Sequence, residues 1–141
     1  MSDKNERFED LPSGLVGDNE TKKIWLPKDS YQDLGKWFTW GEISQYISFM
    51  KQAYAGGFTD WRLPTPEEAL SLYDETLVMK DWDDTEVHIS PIFVHKCSRY
   101  IWTDKKNDQD EAMRVDLYDG SCEYVSVNTK EQQAARLVRN M

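Results

Sequence analysis

Apolar positions along this chain change period several times, and each change marks a different kind of element. Val16, Ile24 and Leu26 flank the polar stretch Asp18 to Lys23, a pattern of two short strands joined by an Asp-Asn turn. Residues 28–36 are polar and are expected to form a surface loop. Ile43, Tyr46, Ile47, Met50 and Tyr54 then recur at helical spacing, after a Thr39-x-x-Glu42 capping box. Gly56-Gly57 supplies the stop. Thr65-Pro66-x-Glu68 is a second capping box with proline at the first helical position, which predicts a helix from Pro66 to about Leu77. This helix turns Ala69, Leu70, Leu72, Tyr73 and Leu77 to the core. The connector between the two helices carries Trp61, Arg62 and Leu63. The Arg62 guanidinium is expected to lock that junction through backbone carbonyls or a carboxylate.

Residues 80–96 show no period. Arg99 to Thr103 reads as a strand, and residues 104–111 as a polar loop. The clearest β signal follows, with Met113, Val115 and Leu117 alternating against Arg114, Asp116 and Tyr118. Asp119-Gly120 turns this strand into a return that carries Val125 and Val127. Ala135 to Arg139 closes the chain as a last short strand. The sum is an α+β fold, two helices on short twisted antiparallel strands, with residues 1–12 as a flexible arm and 13–141 as one domain.

Composition narrows the function classes. The 141 residues are 39% hydrophobic and 13% aromatic, with six tryptophans, so a core of large rings is expected. The net charge is −9 and the sequence pI near 4.7, which disfavours nucleic acid and anionic membranes as partners. A cation, a neutral glycan or a basic protein surface suits this charge better. No apolar leader precedes Ser13, so the cytoplasm is the default compartment, with the periplasm or cell exterior the alternative for a chain whose leader was removed.

Several motifs occur in a fixed order: Val16-x-Asp18-Asn19-x-Thr21-x-x-x-Trp25, Thr39-Trp40, Asp60-Trp61-Arg62-Leu63-Pro64-Thr65, Tyr100-x-Trp102, Val115-Asp116-x-x-x-Asp119-Gly120-Ser121 and Arg136-Leu137-Val138-Arg139. Together they resemble the Lcl C-terminal domain family, named for the C-terminal domain of a collagen-like bacterial adhesin. The resemblance runs from about residue 13 to the C-terminus. It implies a C-type-lectin-like fold, distantly similar to the formylglycine-generating enzymes (the sulfatase-modifying factor domains). It also implies that Trp25, Trp40, Trp61, Arg62, Pro64, Trp102 and Arg136 are scaffold. The adhesin's use, binding sulfated polysaccharide, conflicts with a charge of −9. At Trp102-Thr103-Asp104 the chain departs from the family, which continues there with small hydroxyl residues.

Candidate chemistry is sparse. Cys97 and Cys122 are expected to be two independent thiols, with a disulfide or a metal pair as alternatives; paired cysteines hold copper in the formylglycine-generating enzymes. His88 and His95 fit no metal-helix spacing and are expected as surface or hydrogen-bonded loop histidines, with a metal ligand as the alternative. The acidic loops 81–86 and 104–111 are the calcium candidates, the second through Asp104, Asn107, Asp108 and Asp110, although Lys105 and Lys106 interrupt it. A solvated loop is the expectation, and no cofactor is called for. Trp37 and Trp82 lie outside the family motifs and are candidate contacts for a protein or a sugar ring, together with Tyr118 and Tyr124 on the hairpin. No nucleophile triad or phosphate loop is present. The reading is a non-enzymatic binding module, an accessory subunit meeting a protein partner. The alternatives are a carbohydrate-binding adhesin domain and, behind it, a copper oxidase.

Overall fold

The computed structural model describes residues 7–130 and 132–141, so the first six residues of the expected arm lie outside the described residues. Three strands open the fold: β1 (Phe8–Asp10), β2 (Val16–Asp18) and β3 (Lys23–Trp25). They form an antiparallel sheet in the order β1-β2-β3-β10, completed by β10 (Val138–Asn140). The β2–β3 turn is set by Asp18, whose Oδ1 accepts the Glu20 N–H and whose Oδ2 accepts the Thr21 hydroxyl at 2.7 Å. Arg7 closes on the same carboxylate with two bonds of 2.9 Å. Part of the expected flexible arm is thus structured. β1 lies within it because Phe8 is buried and meets Phe93 edge-on at 5.5 Å.

Residues 28–36 do not form the expected loop. Asp29 caps a short helix, α1 (Ser30–Leu34), through a reciprocal box with Gln32, and Gly35 ends it at φ +72°. Three α-helices are therefore present among the described residues, one more than expected. The second, α2 (Ile43–Gln52), is preceded by the expected Thr39–Glu42 exchange: Thr39 N–H to Glu42 Oε1 at 2.9 Å, and Glu42 N–H to Thr39 Oγ1 at 3.3 Å. Ile43 and Tyr46 are buried, but Tyr54, expected on the same stripe, is 66% exposed because the chain turns left-handed there. The next turn, Ala55 to Gly57, requires glycine at position 56. Its φ is +62°, and a Cβ there would lie 2.7 Å from the Leu15 side chain.

The third helix, α3 (Pro66–Leu70), has the expected Thr65–Glu68 box but is only five residues long. It stops short of Leu77, and Leu70, expected in the core, is exposed. Ser71 caps its end with a hydroxyl bond to the Glu68 carbonyl at 2.6 Å. Beyond it, β4 (Met79–Lys80) and β5 (Glu86–Val87) pair in a small hairpin across residues read from sequence as irregular.

The third sheet has the order β8-β7-β6-β9, from β6 (Tyr100–Lys106), β7 (Glu111–Asp116), β8 (Cys122–Ser126) and β9 (Gln133–Ala134). β9 runs parallel to β6, and the other pairs are antiparallel. The expected loop 104–111 shrinks to residues 107–110: β6 continues to Lys106, with a register shift after Trp102, and β7 begins at Glu111. Gly120 takes φ +77° at the β7–β8 turn, its missing Cβ making room for the Tyr73 ring.

Two apolar clusters fill the interior. One gathers Trp25, Leu72, Ile89, Phe93, Ile101 and Leu117; the other gathers Leu15, Ile43, Trp61, Trp102 and Leu137. The junction between α2 and α3 is fastened by Arg62, which donates to both Glu68 oxygens at 2.7 and 2.9 Å and to Asn140 Oδ1 at 2.9 Å. Its backbone also exchanges two 3.0 Å bonds with Val138.

The Arg62 bond, opposed by burial and helped by the Thr65 N–H, holds the Glu68 carboxyl at about 2 against an ordinary 4.5. A depressed folded value means that this stabilisation is complete above pH 4.5 and is lost as pH falls toward about 2. Glu68→Gln is expected to cost about 1–2 kcal/mol at neutral pH, the half-exposed Arg62 head limiting the gain through solvent screening. Denaturant titrations at neutral pH and near pH 2.5 check it: the difference between the two proteins shrinks at the lower pH.

Candidate binding surface

Trp37 and Trp82, singled out from the sequence separately, meet in the fold. Trp37 stacks on Tyr31 of α1 with ring centroids 3.9 Å apart and planes 10° from parallel. Trp82 lies edge-on to both, 5.4 Å from Trp37 and 6.1 Å from Tyr31. Each element of this trio is placed by a local device. α1 and its glycine cap aim Tyr31 and Trp37. On the other side, Asp81 Oδ1 accepts the N–H groups of Asp83 and Thr85, folding the turn that projects Trp82 between β4 and β5. Lys96 pairs with Asp84 beside it.

All three rings are half-buried, and none belongs to either core cluster. The Trp82 Nε1 is buried without a hydrogen-bond partner among the described residues. An unmet buried donor costs about 1–3 kcal/mol. The sequence pointed to both tryptophans but not to Tyr31, which sat in the stretch read as loop; the Asp29-x-x-Gln32 box was the available signal.

The other candidates are dispersed. Tyr118 is 49% exposed after β7, with the Arg99 guanidinium 4.9 Å from its ring, while Arg99 grips Asp116 through two bonds of 2.9 Å. Tyr124 is half-buried on β8, opposite Met113. No ring contact among the described residues joins either to the trio. Cys97 is buried, its thiol directed at Met79 Sδ at 3.8 Å and pushed up to about 12 by burial. Cys122 is an exposed free thiol, raised by burial of its sulfur and by Glu67. His88 Nδ1 bonds the Leu77 carbonyl at 2.8 Å, and His95 Nε2 the Pro91 carbonyl at 3.2 Å.

The calcium candidates are not assembled as one ligand set. Asp104 belongs to β6, where its N–H bonds the Pro64 carbonyl and where burial and Glu68 raise its carboxyl. Asn107 Oδ1 accepts from Gln109 and Glu111 at 2.9 and 3.0 Å, and Asp110 pairs with Lys106 at 3.2 Å. Asp108 is exposed. Among the described residues no group of three or more His, Cys, Asp or Glu could hold a metal ion. No helix among them is long and apolar enough to cross a membrane.

The fold thus defines an α+β domain whose short elements are tied by turns, with an aromatic cluster at its surface. The family model described as the Lcl C-terminal domain matches residues 14–139, and the chain belongs to that family. The comparisons with curated proteins and with solved structures give no match.

Because Asn107 holds its turn by two backbone bonds, Asn107→Ala is expected to lower stability by about 1–2 kcal/mol. Millimolar calcium is expected to leave the melting temperature of the unmodified chain unchanged. Differential scanning calorimetry with calcium and with chelator checks both.

Proposed function

We propose that this chain is a non-enzymatic binding module that recognises a protein partner through the Tyr31–Trp37–Trp82 cluster, as an accessory subunit of a larger assembly. The observation that carries the reading is a half-buried aromatic trio lying outside both cores and bearing an unmet indole N–H. Tryptophan and tyrosine dominate the energetics of protein interfaces, because each buries a large area at a small entropic cost. A net charge of −9 favours a partner with a basic surface. The α+β core with irregular stretches around the trio is compatible with the C-type-lectin-like reading of the fold. The Cys97 thiol, buried and raised, is the opposite of a reactive thiolate, which supports the non-enzymatic reading over an oxidase.

A second reading, a neutral glycan as ligand, is favoured by one feature. The parallel Trp37–Tyr31 stack is a flat apolar platform of the kind a sugar ring covers.

The test is affinity capture from source cells with the unmodified chain and with Trp37→Ala and Trp82→Ala, each checked for cooperative unfolding. A stoichiometric protein partner is expected, with affinity falling about 30-fold or more in either variant, as for a 2 kcal/mol hot spot. Equal retention by both variants would reduce the trio to a small structural core. Capture of no protein, with quenching of Trp fluorescence by neutral oligosaccharides, would move the assignment to the glycan reading.

A further inference from the structure

On the side of α1 that carries Asp33, separate from the ring contacts of the trio, the fold leaves an apolar recess of about 210 Å3. Leu15, Leu26, Met50 and Ala55 form its walls, drawn from four separate segments. Two opposite charges reach it, Lys28 and Asp33. Asp33 is exposed, and its Oδ2 accepts from the buried Tyr46 hydroxyl at 3.0 Å. Burial, and then Asp33, raise that hydroxyl above the ordinary tyrosine range, so it stays a donor. Asp33 Oδ1 and the exposed Lys28 ammonium have no partner among the described residues, and they do not pair with each other.

The backbone around the recess is unusual. Two facing turns line it, and they hold Ser13, Tyr54 and Gly56 at φ +67°, +49° and +62°. Ser13 and Tyr54 take this conformation as L-residues, as do Lys22, Asp84, Lys96, Asp110 and Gln132 elsewhere. Behind the Leu15–Gly56 contact lies a second cavity of about 190 Å3, which shares Ser13, Leu15 and Gly56 with the first.

Apolar walls with one unpaired cation and one unpaired anion are the complement of a small hydrophobic zwitterion. The ammonium of an α-amino acid matches Asp33 Oδ1, its carboxylate matches Lys28, and an aliphatic side chain fills the space between Leu15, Leu26 and Met50. The volume suits such a ligand and falls below the roughly 300–1,000 Å3 of sites for larger molecules. We propose that this recess binds a free α-amino acid with an aliphatic side chain. The inference stands apart from the partner-binding role of the trio, and either can fail without the other.

The experiment is titration of the full chain, followed by amide chemical shifts, with leucine, N-acetylleucine and leucinamide. Leucine is expected to saturate with a Kd of roughly 1 mM or tighter, and each blocked analogue to bind about tenfold more weakly. Asp33→Asn keeps an acceptor for Tyr46 while removing the charge. It is expected to weaken leucine about tenfold and to erase the preference over N-acetylleucine alone. Lys28→Ala is expected to erase the preference over leucinamide alone. Thermal unfolding confirms that both variants fold, and the shifted amides are expected around Leu15, Asp33 and Met50. Absence of saturation by leucine at roughly 10 mM, ten times that Kd, overturns the proposal. So does N-acetylleucine binding the unmodified chain as tightly as leucine does.

Discussion

A single buried guanidinium holds the distant parts of this chain together. Arg136 is 1% exposed and donates to the carbonyls of Leu26 and Pro27 at 3.1 and 2.8 Å. Its other amino group lies 3.9 Å from Asp29 Oδ2, and its plane covers the Phe93 ring at 4.6 Å. Asp29 is equally buried and is itself saturated. One oxygen caps α1 through Gln32, and the other accepts the Ser98 N–H at 2.7 Å. Ser30 adds a two-way bond with Ala135. The strand end at 26–27, the start of α1, the run before β6 and the C-terminal segment therefore meet around one cation. Removing either member of such a pair leaves a charge stranded out of water, at a cost of several kcal/mol. Two core clusters without one dominant layer can stay in register because this polar hub sits among them.

The acidic excess has a structural use as well as a consequence for partners. Asp18, Asp74, Asp81, Asp116 and Asp119 each accept a backbone N–H two residues ahead, and Asn107 does the same. In a fold with strands of two to seven residues and helices of five to ten, turns carry much of the chain. Short carboxylate side chains are the cheapest means of satisfying turn N–H groups. Each apparent calcium loop contains one such residue, Asp81 in the first and Asn107 in the second, with an oxygen occupied by the backbone. The excess charge of −9 makes polyanions electrostatically unfavourable partners.

The trio and the recess both depend on α1, a helix that the sequence reading did not contain. Tyr31 contributes a ring to one site and Asp33 a carboxylate to the other, and the Tyr46–Asp33 bond fastens α1 to α2. A helix of five residues has almost no stability of its own, because nucleation outweighs so few bonds. Its existence rests on Asp29, and Asp29 on Ser98 and Arg136. Tertiary contacts thus create the element that makes both candidate surfaces.

Local chemistry was legible in the sequence at several places where partners lie within four positions, although the Asp29–Gln32 box, equally local, was read as loop. Thr39–Glu42 and Thr65–Glu68 marked two helix starts, Asp18 marked a strand turn, and Asp119-Gly120 marked the hairpin, because capping and turn bonds form between near neighbours whatever surrounds them. The ordered tryptophan motifs carried the family. Long-range pairings decided the rest. α3 stops at Leu70, although Leu72 and Tyr73 beyond it still reach one core cluster from non-helical chain. β6 runs on to Lys106 because β7 was there to pair polar residues that alternation alone assigned to a loop. Trp37 and Trp82 each read as isolated rings; only the packing of α1 against the Asp81 turn made them one surface, and no periodicity encodes a contact between segments that meet only after both have folded.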